Sequence, residues 1–324
     1  MGNIYVVVEH QKGKISDITF EMLGIGSEVA NKTGKDLIAI LLGNDIKTLG
    51  DSLGIANKIL YINHPALTEV TPEAYSDVLI HIFKEIVPDF IFVSSNNISD
   101  GVGAMTAHKL NFPFINYCKE ITVENNELIT TSLLYGGKVE NQVKPKDNKA
   151  VIAISSGSFP IENGKSNTKP SIEEINPPDL TQLKIKFIKH VEPEAGDIDI
   201  SQQEILLAIG RGIQNQDNIA LADELATAMG AATCASRPVV DQGWLPLTRQ
   251  VGKSGMTVKP KLYLCAGISG APEHIEGMKN SKLIISINTD GKAPIFNYSD
   301  YGVVTDLLEL FPKLTEEVKK RKGG

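Results

Sequence analysis

Residues 234–306 decide the fold. They read Cys-Ala-Ser-Arg-Pro-Val-Val-Asp-Gln-Gly-Trp at 234–244, Arg-Gln-Val-Gly-Lys-Ser-Gly at 249–255 and Ala-Gly-Ile-Ser-Gly-Ala-Pro-Glu-His at 266–274. Ser-Ile-Asn-Thr-Asp follows at 286–290, and Ser-Asp-Tyr-Gly-Val-Val-Thr-Asp at 299–306. Turns rich in glycine and small polar residues follow or separate short apolar runs. Such turns set backbone N–H groups at a sheet edge, where they can meet a phosphorylated cofactor.

Outward from this stretch, residues 205–209 begin an α/β unit, with a helix expected at 218–229 and a short strand at 232–234. Strands at 262–265 and 283–287 and a closing helix at 300–310 complete it. Residues 319–324 read as a basic tail. An acidic, proline-containing link at 192–199 marks a boundary, which gives an N-terminal domain of 1–194 and a C-terminal domain of 195–324.

The first half alternates strand and helix signals. Strands are expected at 4–8, 37–42, 58–62 and 90–94, and helices at 19–30, 72–86 and 100–109. Strands separated by helices imply a parallel sheet covered on both faces. From 111 to 155 shorter runs at 121–123, 129–134 and 150–154, with turn signals at Asn125-Asn126 and Gly136-Gly137, suggest an antiparallel excursion. Residues 157–180 read as a surface loop and 184–191 as one more strand. The fold class is α/β in two domains: a parallel sheet with an antiparallel excursion, then a Rossmann-like unit.

Composition excludes several classes. The 324 residues are 42% hydrophobic and 22% charged, with a net charge of -7. Nucleic-acid binding would need a basic face. Cys118, Cys234 and Cys265 are far apart and form no C-x-x-C pair, so neither a structural metal nor an iron–sulfur cluster is expected. The N-terminus lacks signal-peptide character and no apolar run reaches membrane-spanning length, so a cytoplasmic location is expected.

The individual motifs are ambiguous. Gly210-Arg211-Gly212 suits either phosphate binding or a tight strand-to-helix turn, and Asn215 breaks the dinucleotide spacing. Gly252-Lys253-Ser254 lacks the upstream glycine of a P-loop, since position 247 is Leu. Ser269 in Gly-Ile-Ser-Gly-Ala is rejected as a nucleophile, because no His/Asp pair is set to support it. Gly267 to His274 reads as a helix start, with Ser269 as cap and Pro272 early in the helix. Arg237, at a strand's C-terminal end, can meet an anion or a flat ring, or form a surface ion pair. Trp244 reads as packing under a turn. Asn288 and Asp306 can bond hydroxyls.

Together these segments, and Ala-Pro-Ile-Phe at 293–296, closely resemble the C-terminal FAD domain of the electron transfer flavoprotein α subunit, without a gap from about 204 to 318. The first half resembles the same family less strongly, through Leu-Tyr-Gly-Gly at 134–137. Two departures stand there: Asp100-Gly101-Val102-Gly103 and Ser155-Ser156 occupy positions where the family often carries Arg.

The resemblance implies FAD. Arg237 would lie against the isoalloxazine and His274 near its pyrimidine carbonyl. Gln250, Val251, Gly252, Lys253, Ser254 and Gly255 would meet the ring and ribityl region. Ser236, Ser269, Gly270, Ala271, Pro272, Glu273 and Asn288 would hold ribityl and diphosphate. Arg211, Asp306 and Leu307 would approach the adenosine end. Glu273 stands where many relatives have Gln. Arg237, and His274 if protonated or donating, would supply the positive potential that favours an anionic flavin. No acid/base pair, nucleophile or metal is needed.

The resemblance also implies a heterodimer with a β subunit that carries AMP or a second FAD, and exchange of electrons with flavin dehydrogenases such as acyl-CoA dehydrogenases. The wording of the motifs resembles bacterial members. An electron-bifurcating carrier that oxidises NADH, with ferredoxin and an acyl-CoA dehydrogenase as acceptors, remains an alternative. So does a non-redox adenosine-nucleotide-binding module. A stand-alone flavin dehydrogenase would need a substrate base near the flavin, which the sequence does not offer.

Overall fold

The structure, a computed structural model, describes residues 2–11, 13–96, 98–135, 138–189 and 198–322. The chain forms two compact units, Met1–Lys189 and His190–Gly324. The boundary expected at 194 falls at 190–197, outside the described residues, as does the Gly136-Gly137 turn.

In the first unit nine strands among the described residues form one sheet. Its order is Ser171–Glu174, Lys58–Asn63, Leu37–Gly43, Ile4–Val7, Phe90–Ser94, Ala150–Ile154, Phe114–Glu124, Glu127–Leu134, Val139–Val143. The first seven run parallel and the last two pairings are antiparallel. Ile4 and Val6 pack on one face with Met22, Leu23 and Val29 of the helix Asp17–Thr33. Tyr5 and Val7 pack on the other with Val78 and Leu79 of the helix Pro72–Phe83 and Val102 of Ser99–Leu110. Burial on both faces is why these strands read as unbroken apolar runs.

Three expectations for this unit are corrected. Ala150–Ile154 is not part of the antiparallel excursion: it pairs parallel with Phe90–Ser94 and with Phe114–Glu124. A register shift between Cys118 and Glu120 divides the long strand Phe114–Glu124. Its first half joins the parallel sheet and its second half the hairpin, which turns at Asn125 and Asn126, both at positive φ. Within the supposed loop at 157–180, Ser171–Glu174 is an edge strand beside Lys58–Asn63. It is mostly exposed, so backbone pairing holds it rather than an apolar pattern. Residues 184–189 form no strand; the N–H groups of Lys184 and Ile185 donate to Glu73 Oε2 at 2.7 and 2.8 Å.

The second unit has five parallel strands among its described residues. Their order is Ala232–Ala235, Ile205–Ile209, Leu262–Ala266, Ile284–Asn288, Tyr301–Val304. The helix expected at 300–310 is instead this last strand followed by the helix Leu307–Lys322. The strand was hidden because all four of its residues are exposed. The final helix takes in Lys319 to Lys322 of the supposed tail, and residues 323–324 lie outside the described residues. Among the described residues no helix is long and apolar enough to cross a membrane, and no cluster of metal-ligating side chains occurs.

Candidate functional site

In chain order the five strands lie 2-1-3-4-5, so the direction of winding reverses between Ile205–Ile209 and Leu262–Ala266. In open α/β sheets ligands bind at the carboxyl ends of strands beside such a reversal. The residues singled out in the sequence gather on the segments that leave those ends.

The first group centres on the reversal itself. Gly210 N–H donates to the Ala266 carbonyl at 2.9 Å and Gly212 N–H to the Gly267 carbonyl at 3.1 Å. A Cβ on Gly212 would stand 2.6 Å from the Gly267 Cα. The Gly210-Arg211-Gly212 glycines therefore serve close approach of two backbones, and Arg211 is left exposed beside them. Leu307, buried under Gly267, and Asp306, which accepts the Leu308 N–H at 2.8 Å, lie at the same place. Asn288 braces the turn: its amide donates to the Ile268 carbonyl at 2.9 Å and its oxygen accepts from the Asp290 N–H.

The second group surrounds the turn 250–255. Val251 N–H bonds the Ala235 carbonyl at 2.9 Å, and Lys253 N–H bonds the Glu273 carbonyl at 2.8 Å. Gln250 is buried and donates to Ser254 Oγ at 3.0 Å. Gly252 has φ 139°, and a Cβ there would stand 2.8 Å from the Glu273 carbonyl. Gly255 N–H closes the turn onto the Gly252 carbonyl at 2.9 Å. Ser236 is buried before the short helix Arg237–Asp241. The Arg237 side chain is 69% exposed and its Nε lies 3.3 Å from Asp241 Oδ2, so it forms the surface ion pair that was one reading of it.

Between the groups lies the turn 267–271. Ile295 N–H donates to the Ser269 carbonyl at 3.0 Å. Gly270 has φ 89°, and a Cβ there would stand 2.6 Å from Ile295 Cα. Ile295 therefore requires glycine at position 270. Ser269 does not cap the following helix: Ala271 holds that position, without a side-chain bond, and Pro272 is the first helical residue. Glu273 is exposed.

His274 also departs from expectation. It is 5% exposed, with Nε2 3.0 Å from the Tyr263 hydroxyl and Nδ1 3.1 Å from the Val251 carbonyl. Burial lowers its pKa to about 4, so at neutral pH the ring is uncharged. An uncharged ring contributes no positive charge of its own. Tyr263 itself was missed. The available signal was a polar-tipped aromatic in an otherwise apolar strand, which needs a buried partner.

The fit to a dinucleotide rests on the turn 267–271. The N–H groups of Ser269, Gly270 and Ala271 take no acceptor among the described residues, and Ser269 and Ala271 are exposed. Three adjacent free donors suit a diphosphate. Arg211, Arg237 and Lys253 are exposed cations on neighbouring segments. The arrangement is that of a parallel-sheet domain that presents free N–H donors at the carboxyl ends of its strands, the kind of place at which nucleotide cofactors bind.

Comparison with known proteins gives the family. Residues 199–279 match the electron transfer flavoprotein FAD-binding domain, and residues 4–180 match the electron transfer flavoprotein domain. The electron transfer flavoprotein subunit alpha of Megasphaera elsdenii is 32% identical over 99% of this chain and 97% of that protein. The acryloyl-CoA reductase electron transfer subunit beta of Anaerotignum propionicum is 31% identical, over 99% and 97%. The lactate dehydrogenase (NAD(+),ferredoxin) subunit LctC of Acetobacterium woodii is 32% identical, over 96% of this chain and 75% of that protein. The chain belongs to the electron transfer flavoprotein α-subunit family, and its C-terminal unit contains the family's FAD-binding domain.

Proposed function

We infer that this chain holds FAD in the turns of its C-terminal unit and acts as the flavin-bearing subunit of an electron-carrying heterodimer. The observation that carries the placement is the run of free N–H groups at Ser269, Gly270 and Ala271. Ser269 to Glu273, with Ser236 and Asn288, would hold diphosphate and ribityl. Arg211, Asp306 and Leu307 would border the adenosine end. Arg237 and Gln250 to Gly255 would border the flavin ring, with His274 behind the turn as a neutral group. Bound FAD supplies electron transfer at its isoalloxazine. The chain's part is to bind and orient that group and to set positive charge beside it with Arg237. A β subunit carrying AMP or a second FAD is the inferred partner, and acyl-CoA dehydrogenases are inferred redox partners. Exposed Tyr135 and Val139 on the hairpin edge support partner docking by the N-terminal unit.

The test is co-expression with a β subunit of the same family. A yellow complex with one FAD per α chain is expected. A colourless complex that stays so after incubation with FAD overturns the reading.

The name of the Acetobacterium relative, which includes NAD(+) and ferredoxin, supports a second reading, in which the heterodimer is an electron-bifurcating carrier that oxidises NADH with ferredoxin and an acyl-CoA dehydrogenase as acceptors. It requires two FAD per heterodimer and NADH-dependent flavin reduction. One FAD and no response to NADH would remove it.

A further inference from the structure

Tyr263 lies in the strand Leu262–Ala266 with no exposed surface. Its hydroxyl is 3.0 Å from His274 Nε2, and His274 Nδ1 is 3.1 Å from the Val251 carbonyl oxygen. A carbonyl can only accept, so this partner assigns the proton to Nδ1. Neutral imidazole then presents a lone pair at Nε2, and the Tyr263 hydroxyl donates to it. One buried line thus joins three segments: the strand of Tyr263, the helix of His274 and the turn of Val251.

The line ends on the turn 250–255. Lys253 N–H bonds the Glu273 carbonyl, so His274 and its neighbour hold the turn at two adjacent points. Remove the Tyr263 hydroxyl and His274 loses the partner that fixes its ring, while Val251 keeps only a mobile donor. Other ionisable groups do not intrude. Burial raises the pKa values of Cys234, Cys265 and Tyr263, which keeps them uncharged. Lys253, Glu273 and Glu276 are exposed, and Arg249 Nη1 bonds the Thr233 carbonyl at 2.7 Å.

We propose that Tyr263 is a positioning residue for the flavin: by fixing His274 as the Nδ1-protonated neutral ring it clamps the turn 250–255 against which the isoalloxazine rests. The proposal rests on the placement of FAD given above. It assigns Tyr263 no contact with the cofactor.

The test compares the wild-type heterodimer with Tyr263→Phe, using FAD itself as the probe. Loss of one hydrogen bond corresponds to a roughly 3- to 10-fold rise in the FAD dissociation constant. The visible bands of bound FAD should shift, and amide exchange at Gly252 and Lys253 should quicken by a similar factor while the first unit is unchanged. A purely structural role for the hydroxyl would lower the unfolding temperature and leave the flavin spectrum and turn exchange alone, and that result overturns the proposal. A second measurement needs no variant. In wild-type protein carrying 15N-labelled histidine, the His274 resonances must report a protonated Nδ1 and an accepting Nε2; the opposite tautomer overturns the clamp. A wild type that binds no FAD would sink the site itself, whereas FAD-binding wild type with an indistinguishable Tyr263→Phe variant sinks the clamp alone.

Discussion

Gly270→Val separates two explanations of the same glycine. The residue lies at φ 89°, where a side chain is strained. A left-handed conformation costs a non-glycine residue about 1–2 kcal/mol. A Cβ would also stand 2.6 Å from Ile295 Cα and 3.0 Å from its Cβ, with the Ile295 nitrogen nearer still. Forcing atoms into a packed backbone costs about 1–3 kcal/mol. The sum, about 2–5 kcal/mol, is a large part of the stability of a typical domain, about 5–15 kcal/mol. For a unit of this size it corresponds to a drop in Tm on the order of 10–20 °C. The assay is thermal unfolding of FAD-free protein, followed by the fluorescence of Trp244, the one tryptophan of the chain. Gly270→Ala should show a smaller drop in the same direction. If Gly270→Val melts with the wild type when FAD-free and yet fails to bind FAD, the side chain meets the cofactor and not Ile295, and the reasoning is refuted.

Two further outcomes are expected. Arg237→Ala should lower the first reduction potential of bound FAD by up to roughly 60–130 mV, the equivalent of one charge-assisted hydrogen bond; unchanged potentials in a folded variant would remove Arg237 from the flavin. Acid should destabilise the C-terminal unit through His274, whose pKa is about 4 in the folded chain against 6.5 when free. Between those values the unfolded chain binds more protons, so stability present above pH 6.5 is lost as the pH falls towards 4, by about 3 kcal/mol in all. Urea titrations at several pH values should show that slope in the wild type and a flatter one in His274→Gln, and equal slopes would contradict the buried neutral ring.

Much of the fold was legible because its central strands are buried on both faces. Runs such as Ile205–Ile209 and Phe90–Ser94 need no partner side chain to announce them. The edge strands Ser171–Glu174 and Tyr301–Val304 were missed for the opposite reason: their residues face solvent and only their backbones are paired. Ala150–Ile154 was found as a strand but assigned to the wrong neighbours, since nothing in its residues records the register shift at Cys118 that lets Phe114–Glu124 serve two pairings.

In the site, the glycine-rich turns were visible in the sequence, but local sequence could not say what each glycine meets. Gly212 faces Gly267, Gly252 faces Glu273, and Gly270 faces Ile295. These contacts depend on segments that come together only in the folded unit. The charge state of His274 was equally unreadable, because it follows from burial, which only the folded unit decides.

The claim on which the rest depends is that the diphosphate of FAD takes up the free donors of the turn 267–271. Amide hydrogen exchange of the heterodimer, with FAD removed and then restored to one per α chain, measures it directly. The N–H groups of Ser269, Gly270 and Ala271 should exchange quickly without FAD and become strongly protected with it. Full FAD occupancy with unchanged exchange at these three residues would contradict the account.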